Sequence, residues 1–359
     1  MALKVAWHIR PYEKGDEHKI LELRKAVFGD LDPVRNRLST WYWQFRDNPS
    51  GEAFCMLAED GGHVVGQYAA IPTRFCVEGK ETVLAFSCDT MTHPGYRGQG
   101  IFPSLAQALY AFIASAHGVR VVWGFPNERS LPGFTQRLGW RVLTSFPLRV
   151  RPLRPLAMVR PYLPLNRNRL HPRFFHEPGR AFEKACPVPG LVIEPIDHFN
   201  RAFDALWKEN KNQARVIQVR DSRYLNWRYL GQPEFRYQPF AVKWQERLAG
   251  YMVIRLLRVM AHDLGAVVDL FPMPAGNPLM TKGLFAFARA YCREKGATFL
   301  TGLFSQGDRP FFRRAGLWRL PEGLNPRKWY LGCRFAKKDM SVLGAAESWY
   351  VTYGDTDIV

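Results

Sequence analysis

The chain has 359 residues, long enough for two domains, and its 47% hydrophobic and 23% charged residues are the proportions of a soluble globular protein, which excludes wholesale disorder. The formal net charge is +18, unevenly placed: 16 basic against 14 acidic residues over 1–146, nine against two over 147–190, and 25 against 16 over 191–359. That surplus attracts anionic partners such as a phosphorylated cofactor, an acidic glycan, an anionic membrane face or nucleic acid, but charge without a fold motif does not choose among them. The longest uncharged stretch, Gly98 to Val119, is broken by Gln99, Pro103, Ser104, Gln107, Ser115 and His117, and Arg10, Lys14 and Asp16 interrupt the N-terminus early. Neither a transmembrane span nor a signal core is indicated, so a cytoplasmic location is expected. The six cysteines (55, 76, 88, 186, 292, 333) form no CxxC or Cys/His cluster, so no metal and no disulfide framework is indicated.

The chain opens with an amphipathic helix, since Ile20, Leu21, Leu23, Ala26 and Val27 recur at helical spacing. Strands rich in Val, Ile and aromatic residues follow, broken by turns such as Glu59–Gly62. Thr82–Thr92 reads as a strand that runs directly into HPGYRGQGIF, residues His93 to Phe102. Next, Leu105, Leu109, Phe112 and Ile113 share one helical face, with Pro103 suited to the first turn and Gly118 to the end. Val119–Phe125 reads as another apolar strand, which completes an α/β unit.

Residues 147–190 carry nine prolines among arginines and apolar residues, which precludes a regular helix and predicts an extended connector. An anionic membrane surface is a second use for that alternation. The segments on either side repeat each other. Trp43 falls on Trp227, Pro49 on Pro233 and Gly66 on Gly250 at a spacing of 184; Asp89 falls on Asp269 and Pro94 on Pro274 at 180; Gly139 falls on Gly316 at 177. So long a period marks a duplicated domain. The expected division is a first copy over 1–146, the connector over 147–190 and a second copy over 191–359. At the spacing of 180, Arg97, Gly98, Gln99 and Gly100 fall on Asn277, Pro278, Leu279 and Met280, so the second copy has lost the arginine and both glycines.

A strand that ends in a glycine-rich turn and feeds a helix aims several backbone N–H groups, and the positive end of the helix dipole, at one point, which makes an anion site. The sequence THPGYRGQGIF resembles the pyrophosphate-binding signature, Arg/Gln-x-x-Gly-x-Gly/Ala, of the GNAT superfamily of acyl-CoA-dependent N-acyltransferases. IRPYEKGDEHKILELRKAVFG is similar to that family's first strand and helix, and GFPNERSLPGFTQRLGW to its strand-five exit and following helix. The resemblance covers about residues 8–146 and implies tandem GNAT-like folds, each a mixed central sheet flanked by helices, the second degenerate. It implies that the main chain of Thr90, Met91 and Thr92 lines the pantetheine arm, that Arg97, Gly98, Gln99, Gly100, Ile101 and Phe102 hold the pyrophosphate, and that Asn127 sits near the acyl or pantetheine group. A turn or helix-cap role is an equal reading of Asn127.

Two positions depart from the family pattern. Phe102 stands where Gly or Ala is usual, so its side chain either packs away from the phosphates or covers the cofactor. Thr135 stands where the family often has an acid tyrosine. His93, through water, is the candidate base, and Tyr96 and Ser130 are candidates for protonating the thiolate. Asp89 lies in the right strand, but its counterpart Asp269 in a copy without the loop favours a structural role. The resulting expectation is an N-acyltransferase, most simply an N-acetyltransferase, that moves an acyl group from acyl-CoA to an amine by direct attack. A non-catalytic acyl-CoA-binding or scaffolding protein is the alternative. An anionic or sugar-containing acceptor follows from charge alone, no nucleic-acid partner is expected, and the chain is a monomer or homodimer.

Overall fold

The computed structural model describes residues 7–29, 33–155, 188–259, 262–274, 276–325, 328–336 and 342–356. Most of the proline-rich connector, residues 156–187, lies outside them, and so does the reading made of it. The first part of the chain supplies β1 (His8–Pro11), α1 (Glu17–Phe28), β2 (Phe54–Asp60), β3 (His63–Val77), β4 (Lys80–Thr92), α2 (Ile101–Ala116), β5 (Val121–Gly124), β6 (Arg141–Phe146) and β7 (Arg149–Pro152). The remainder supplies β8 (Leu191–Pro195), α3 (Arg201–Asn210), β9 (Val216–Gln218), β10 (Tyr237–Trp244), β11 (Arg247–Val259), β12 (His262–Phe271), α4 (Pro278–Glu294), β13 (Phe299–Gly302), α5 (Arg309–Ala315), β14 (Trp318–Arg319), β15 (Trp329–Phe335) and β16 (Trp349–Tyr350). Among the described residues no helix is long and apolar enough to cross a membrane.

The strands form two mixed sheets, in the orders β1-β2-β3-β4-β5-β15-β6, with β9 joined to β3 and β16 to β9, and β14-β7-β13-β12-β11-β10-β8. Each sheet has helices packed on it, so the architecture is two tandem folds of the predicted α/β kind. Their registers agree with the sequence repeat. Gln67 pairs with Met91 and Ala70 with Ser87 in the first sheet; Tyr251 pairs with Phe271 and Ile254 with Val267 in the second. The parallel pairs Ala85–Val122 and Phe86–Trp123 likewise match Gly265–Leu300 and Ala266–Thr301.

The two sheets have exchanged a strand. β15 lies between β5 and β6, pairing Gly332 with Gly124 and Trp329 with Phe146. In return β7 lies between β13 and β14, pairing Thr301 and Trp318 with Val150. The local cause is legible in the two residues that separate β6 from β7, Pro147 and Leu148. A two-residue hairpin turn requires positive φ at its first position, which proline's ring forbids, so the chain continues across to the other sheet instead of folding back.

A pseudo-twofold axis relates the copies and passes between the aligned tryptophans. Trp43 and Trp227 stack at 4.9 Å and 17°. The indole N–H of Trp43 donates to the carbonyl of Trp227 at 2.9 Å, and that of Trp227 donates to the carbonyl of Trp43 at 3.0 Å. Reciprocal contacts between equivalent positions define an isologous interface, here within one chain. The main hydrophobic cluster runs through both halves, from Ile20 and Trp123 to Tyr251 and Trp349. A smaller one under α2, including Tyr68, Leu105, Leu109, Phe134 and Trp140, belongs to the first half.

Candidate functional site

Parallel pairing of β4 with β5 stops at Phe86–Trp123. β4 continues to Thr92, whereas β5 ends at Gly124 and leaves through Phe125, Pro126 and Asn127. The strands thus splay, and the gap opens into a cleft of about 650 Å³. Ser87, Asp89, Thr90, Asn127 and Ser130 line it from the first half, and Phe235, Arg255, Leu257 and Arg258 line it from the second. At the point of divergence the strands approach closely: a Cβ on Gly124 would stand 3.0 Å from the Ser87 carbonyl. A bulge between Gln67 and Ala69 re-aims β4, with Asp89 at φ +45° and its carbonyl accepting from Gln67 Nε2 at 2.9 Å.

Beyond β4, the His93 imidazole Nδ1 accepts from the Gly95 amide at 3.2 Å and caps the short turn Pro94–Tyr96. Gly98 and Gly100 both adopt φ +81°, and a Cβ at either would meet nothing within 4 Å. They are therefore glycines for backbone conformation, with open space where a ligand can approach. Gly100 begins α2 without a side-chain cap, and among the described residues the amides of Gly98, Gln99 and Gly100 meet no acceptor. These orphaned donors at the positive end of a 16-residue helix, with Arg97 exposed beside them, fit a phosphate group.

The second copy closes both features. Counted from the helix starts, Asn277 rather than Met280 stands opposite Gly100, a correction to the ungapped alignment that a shorter loop explains. Asn277 Oδ1 caps α4 by accepting the Met280 amide at 2.9 Å. The second splay is filled by the chain itself. The Val351 carbonyl accepts from Ser305 N at 2.9 Å, Tyr350 OH donates to the Leu270 carbonyl, and Thr352 Oγ1 lies 3.0 Å from Asp269. Asp269 is 1% exposed and bound to Arg220, Tyr229 and Tyr251, and Arg220 also pairs with Asp355 at 2.8 Å. Burial raises the Tyr229 and Tyr251 phenols well above the usual range, so they stay neutral donors to that carboxylate.

The splay brings Thr90, Asn127 and Ser130 to one cleft. Met91 is 2% exposed at the end of β4, and Thr92 pairs with Gly66. Ile101 is buried against Gly66, where a Cβ would come within 2.5 Å of it, so that glycine seats the helix on β3. Phe102 packs at 5.3 Å and 68° on Phe134, 6.1 Å from Tyr68 and close over Gly133. Its ring faces the small core, and its amide remains at the helix start. The Asn127 carboxamide accepts the amides of Arg129 and Ser130 at 3.0 and 2.9 Å, the turn role, while lining the cleft. Ser130 Oγ accepts from Asn127 N at 3.1 Å.

The other two candidate proton-transfer residues stand elsewhere. Tyr96 OH donates to Asp60 at 2.7 Å, an interaction that raises its pKa, and neither Tyr96 nor His93 is among the residues lining the cleft. Thr135 donates to the Leu131 carbonyl of its own turn at 3.0 Å. Sequence reasoning missed a polar chain that reaches the cleft: Ser87 Oγ donates to Tyr68 OH at 2.9 Å, Tyr68 OH lies 2.7 Å from Tyr110 OH, and Trp140 Nε1 donates to Tyr110 at 2.9 Å. It also missed the ion pairs of Asp89 with Arg24 at 2.8 Å and Arg35 at 3.8 Å. Val34-Arg35 and Val219-Arg220 were the available signal for the latter, since Arg220 pairs with Asp269 as Arg35 does with Asp89.

Comparison with known proteins agrees with this geometry. The family described as acetyltransferase (GNAT) domain matches residues 8–143. No curated protein matches in sequence. A probable N-acyltransferase from Enterococcus faecalis is similar in structure at TM-score 0.61 and 13% identity, over 92% of this chain and 73% of that one. A GCN5-related N-acetyltransferase from Anabaena variabilis gives 0.60 and 14%, over 92% and 73%. Saccharomyces cerevisiae N-myristoyltransferase, solved with myristoyl-CoA, gives 0.57 and 11%, over 94% and 80%. At such identities the likeness is one of fold; the family match, the loop and the splay converge on residues 8–143, which match the GNAT acetyltransferase domain family and lie within a tandem GNAT-like fold.

Proposed function

We propose that the protein transfers an acyl group from acyl-CoA, most simply acetyl-CoA, to an amine, with residues 1–146 supplying the acyl-CoA site and 191–359 the far wall of the acceptor cleft. The carrying observation is the asymmetry between the copies: the first keeps its splay open and its helix start uncapped, and the second closes both with its own residues. In this reading the amides of Gly98 to Phe102, the α2 dipole and Arg97 hold the pyrophosphate. The unpaired edge of Thr90, Met91 and Thr92 holds the pantetheine arm as a strand neighbour would. The thioester supplies an activated carbonyl whose sulfur leaves readily.

The acceptor enters as an ammonium and passes one proton to water in the cleft. The amine nitrogen bonds to the carbonyl carbon, the carbon–sulfur bond breaks, the nitrogen loses its second proton, and the departing thiolate takes one. The products are an amide, the CoA thiol and one proton released. In this reading Ser87 or Ser130 serves the thiolate, supported by their lining the cleft and by the bond of Ser87 to Tyr68, whose phenol burial keeps neutral. Much of the acceleration in such a transfer comes from holding amine and thioester together.

Titration should find one acetyl-CoA per chain, and amines should drive release of free thiol. Two sites per chain would refute the division between copies. Thr135, locked onto its own turn, favours the second reading, an acyl-CoA-binding protein without turnover; binding with no thiol release from a broad amine panel would establish it.

A further inference from the structure

The cleft is charged asymmetrically. Four guanidinium groups line it, those of Arg24, Arg35, Arg255 and Arg258, against one carboxylate, Asp89. Asp89 is engaged by Arg24 and Arg35, and Arg258 lies 4.0 Å from Asp263. Arg255 is different. It sits mid-strand on β11, paired with Tyr237 and Ala266, with its guanidinium 4.0 Å over the Phe235 ring and 5.5 Å over that of Tyr237. Among the described residues no carboxylate reaches it, and its Nη1 is buried without a hydrogen-bond partner. Burial pulls its pKa below the usual arginine value; the Tyr237 phenol opposes that by charge and by a hydrogen bond, and the like charges of Arg228 and Arg35 add to it. A guanidinium removed from water, with the Tyr237 phenol and aromatic faces as its neighbours, like charges close by and Nη1 left unbonded, is unfavourable unless an anion completes it.

That anion is not the pyrophosphate of acyl-CoA, because none of the residues from His93 to Phe102 lines this cleft. The rest of the wall has an apolar side, with Phe28, Phe125, Phe134, Trp140, Leu257 and Val259, and a polar one, with Ser87, Thr90, Asn127 and Ser130. We infer that the acceptor is an amine on an apolar body that also carries a carboxylate or phosphate-type group, and that Arg255 receives this group while the amine faces the splay. This rests on the N-acyltransferase reading for the amine and deepens it. Arg255 then orients the acceptor in the cleft by its anion, with the amine toward the splay.

The test pairs acids with their decarboxylated amines: L-phenylalanine and L-leucine, phenethylamine and isoamylamine, with 1-amino-2-phenylethylphosphonic acid as the phosphate-type arm. Each is titrated calorimetrically into the full chain in the presence of CoA thiol, where no transfer occurs, and each is then assayed with acetyl-CoA. At least one acid should bind about 30-fold or more tighter than its amine. The phosphonate and carboxylate arms decide which anion is preferred. Arg255→Met should bring the ratio close to one, leave acetyl-CoA affinity within about twofold, and keep or raise the melting temperature, because an unmatched buried charge is gone. Arg255→Lys should restore part of the preference. Equal binding of acids and amines by the unmodified protein, or a preference that survives Arg255→Met, overturns the inference without any need for a folded variant in the first case. Arg255-dependent acid binding with no acylation of any amine would sink the transferase reading and leave the anion site standing; acylation indifferent to the acid group would do the reverse.

Discussion

Replacing Gly100 by aspartate separates a glycine kept for the ligand from one kept for the fold. The residue has φ +81°, ψ 4°, and a Cβ there would touch nothing within 4 Å, so the steric contribution to stability is nil and the backbone contribution is that of a non-glycine residue in the left-handed region, about 1 kcal/mol. In a chain of this length that is a melting-temperature fall of about 2 °C. On binding, the new carboxylate would lie about 6 Å from two phosphate charges; at an effective dielectric constant of about 40 each pair repels by about 1.4 kcal/mol, together about 3 kcal/mol or about 100-fold in Kd. Gly100→Ala carries the same backbone strain without the charge and should stay within about threefold of the unmodified protein. Asn277→Asp places the same charge at the equivalent helix start of the second copy, keeps the cap, and should leave affinity unchanged. Calorimetric titration of the three variants with one acetyl-CoA stock measures this. If Gly100→Asp binds as well as Gly100→Ala, or Asn277→Asp loses as much, the anion-loop reasoning is wrong.

Phe102→Ala should destabilise the protein by about 2–4 kcal/mol, because the ring packs on Phe134 and Tyr68, yet leave acetyl-CoA affinity within about threefold, because the contribution to the loop is the amide; a large affinity loss at unchanged stability would make the ring a cofactor lid instead. A fragment of residues 1–146 should fail to fold cooperatively in circular-dichroism melts, since β15, which fills the place between β5 and β6, comes from residues 329–335, and a cooperatively melting fragment would refute that role for the exchanged strand. Truncation after Ser348 removes the segment that caps the buried Arg220–Asp269 pair and should cost several kcal/mol in chemical denaturation, whereas a near-native midpoint would mean that water replaces it without penalty.

The sequence by itself determined the local units. The repeat placed Trp43 opposite Trp227, and the structure puts the two indoles in reciprocal contact. The strand, glycine loop and helix of residues 80–116 were legible because periodicity and glycine position are properties of neighbouring residues. So was the absence of such a loop in the second copy, although the count of helix positions slipped by three residues where the loop shortens. Tertiary structure decided the rest. That the copies trade strands depends on pairing across roughly 150 to 210 residues, of which only the Pro147-Leu148 link left a local trace. The filling of the second splay by residues 349–356 brings a segment remote in sequence beside β12, a contact that no periodicity encodes. The acceptor side of the cleft is likewise non-local: Arg255 and Phe235 reach it from the second copy, Arg24 from the first helix, and Asp89 from a bulge. In the sequence Arg255 is one charge in an apolar run, YMVIRLL, and what makes it chemically distinctive is that among the described residues no carboxylate meets it and its Nη1 is left unbonded, which appears only when every neighbour has been placed.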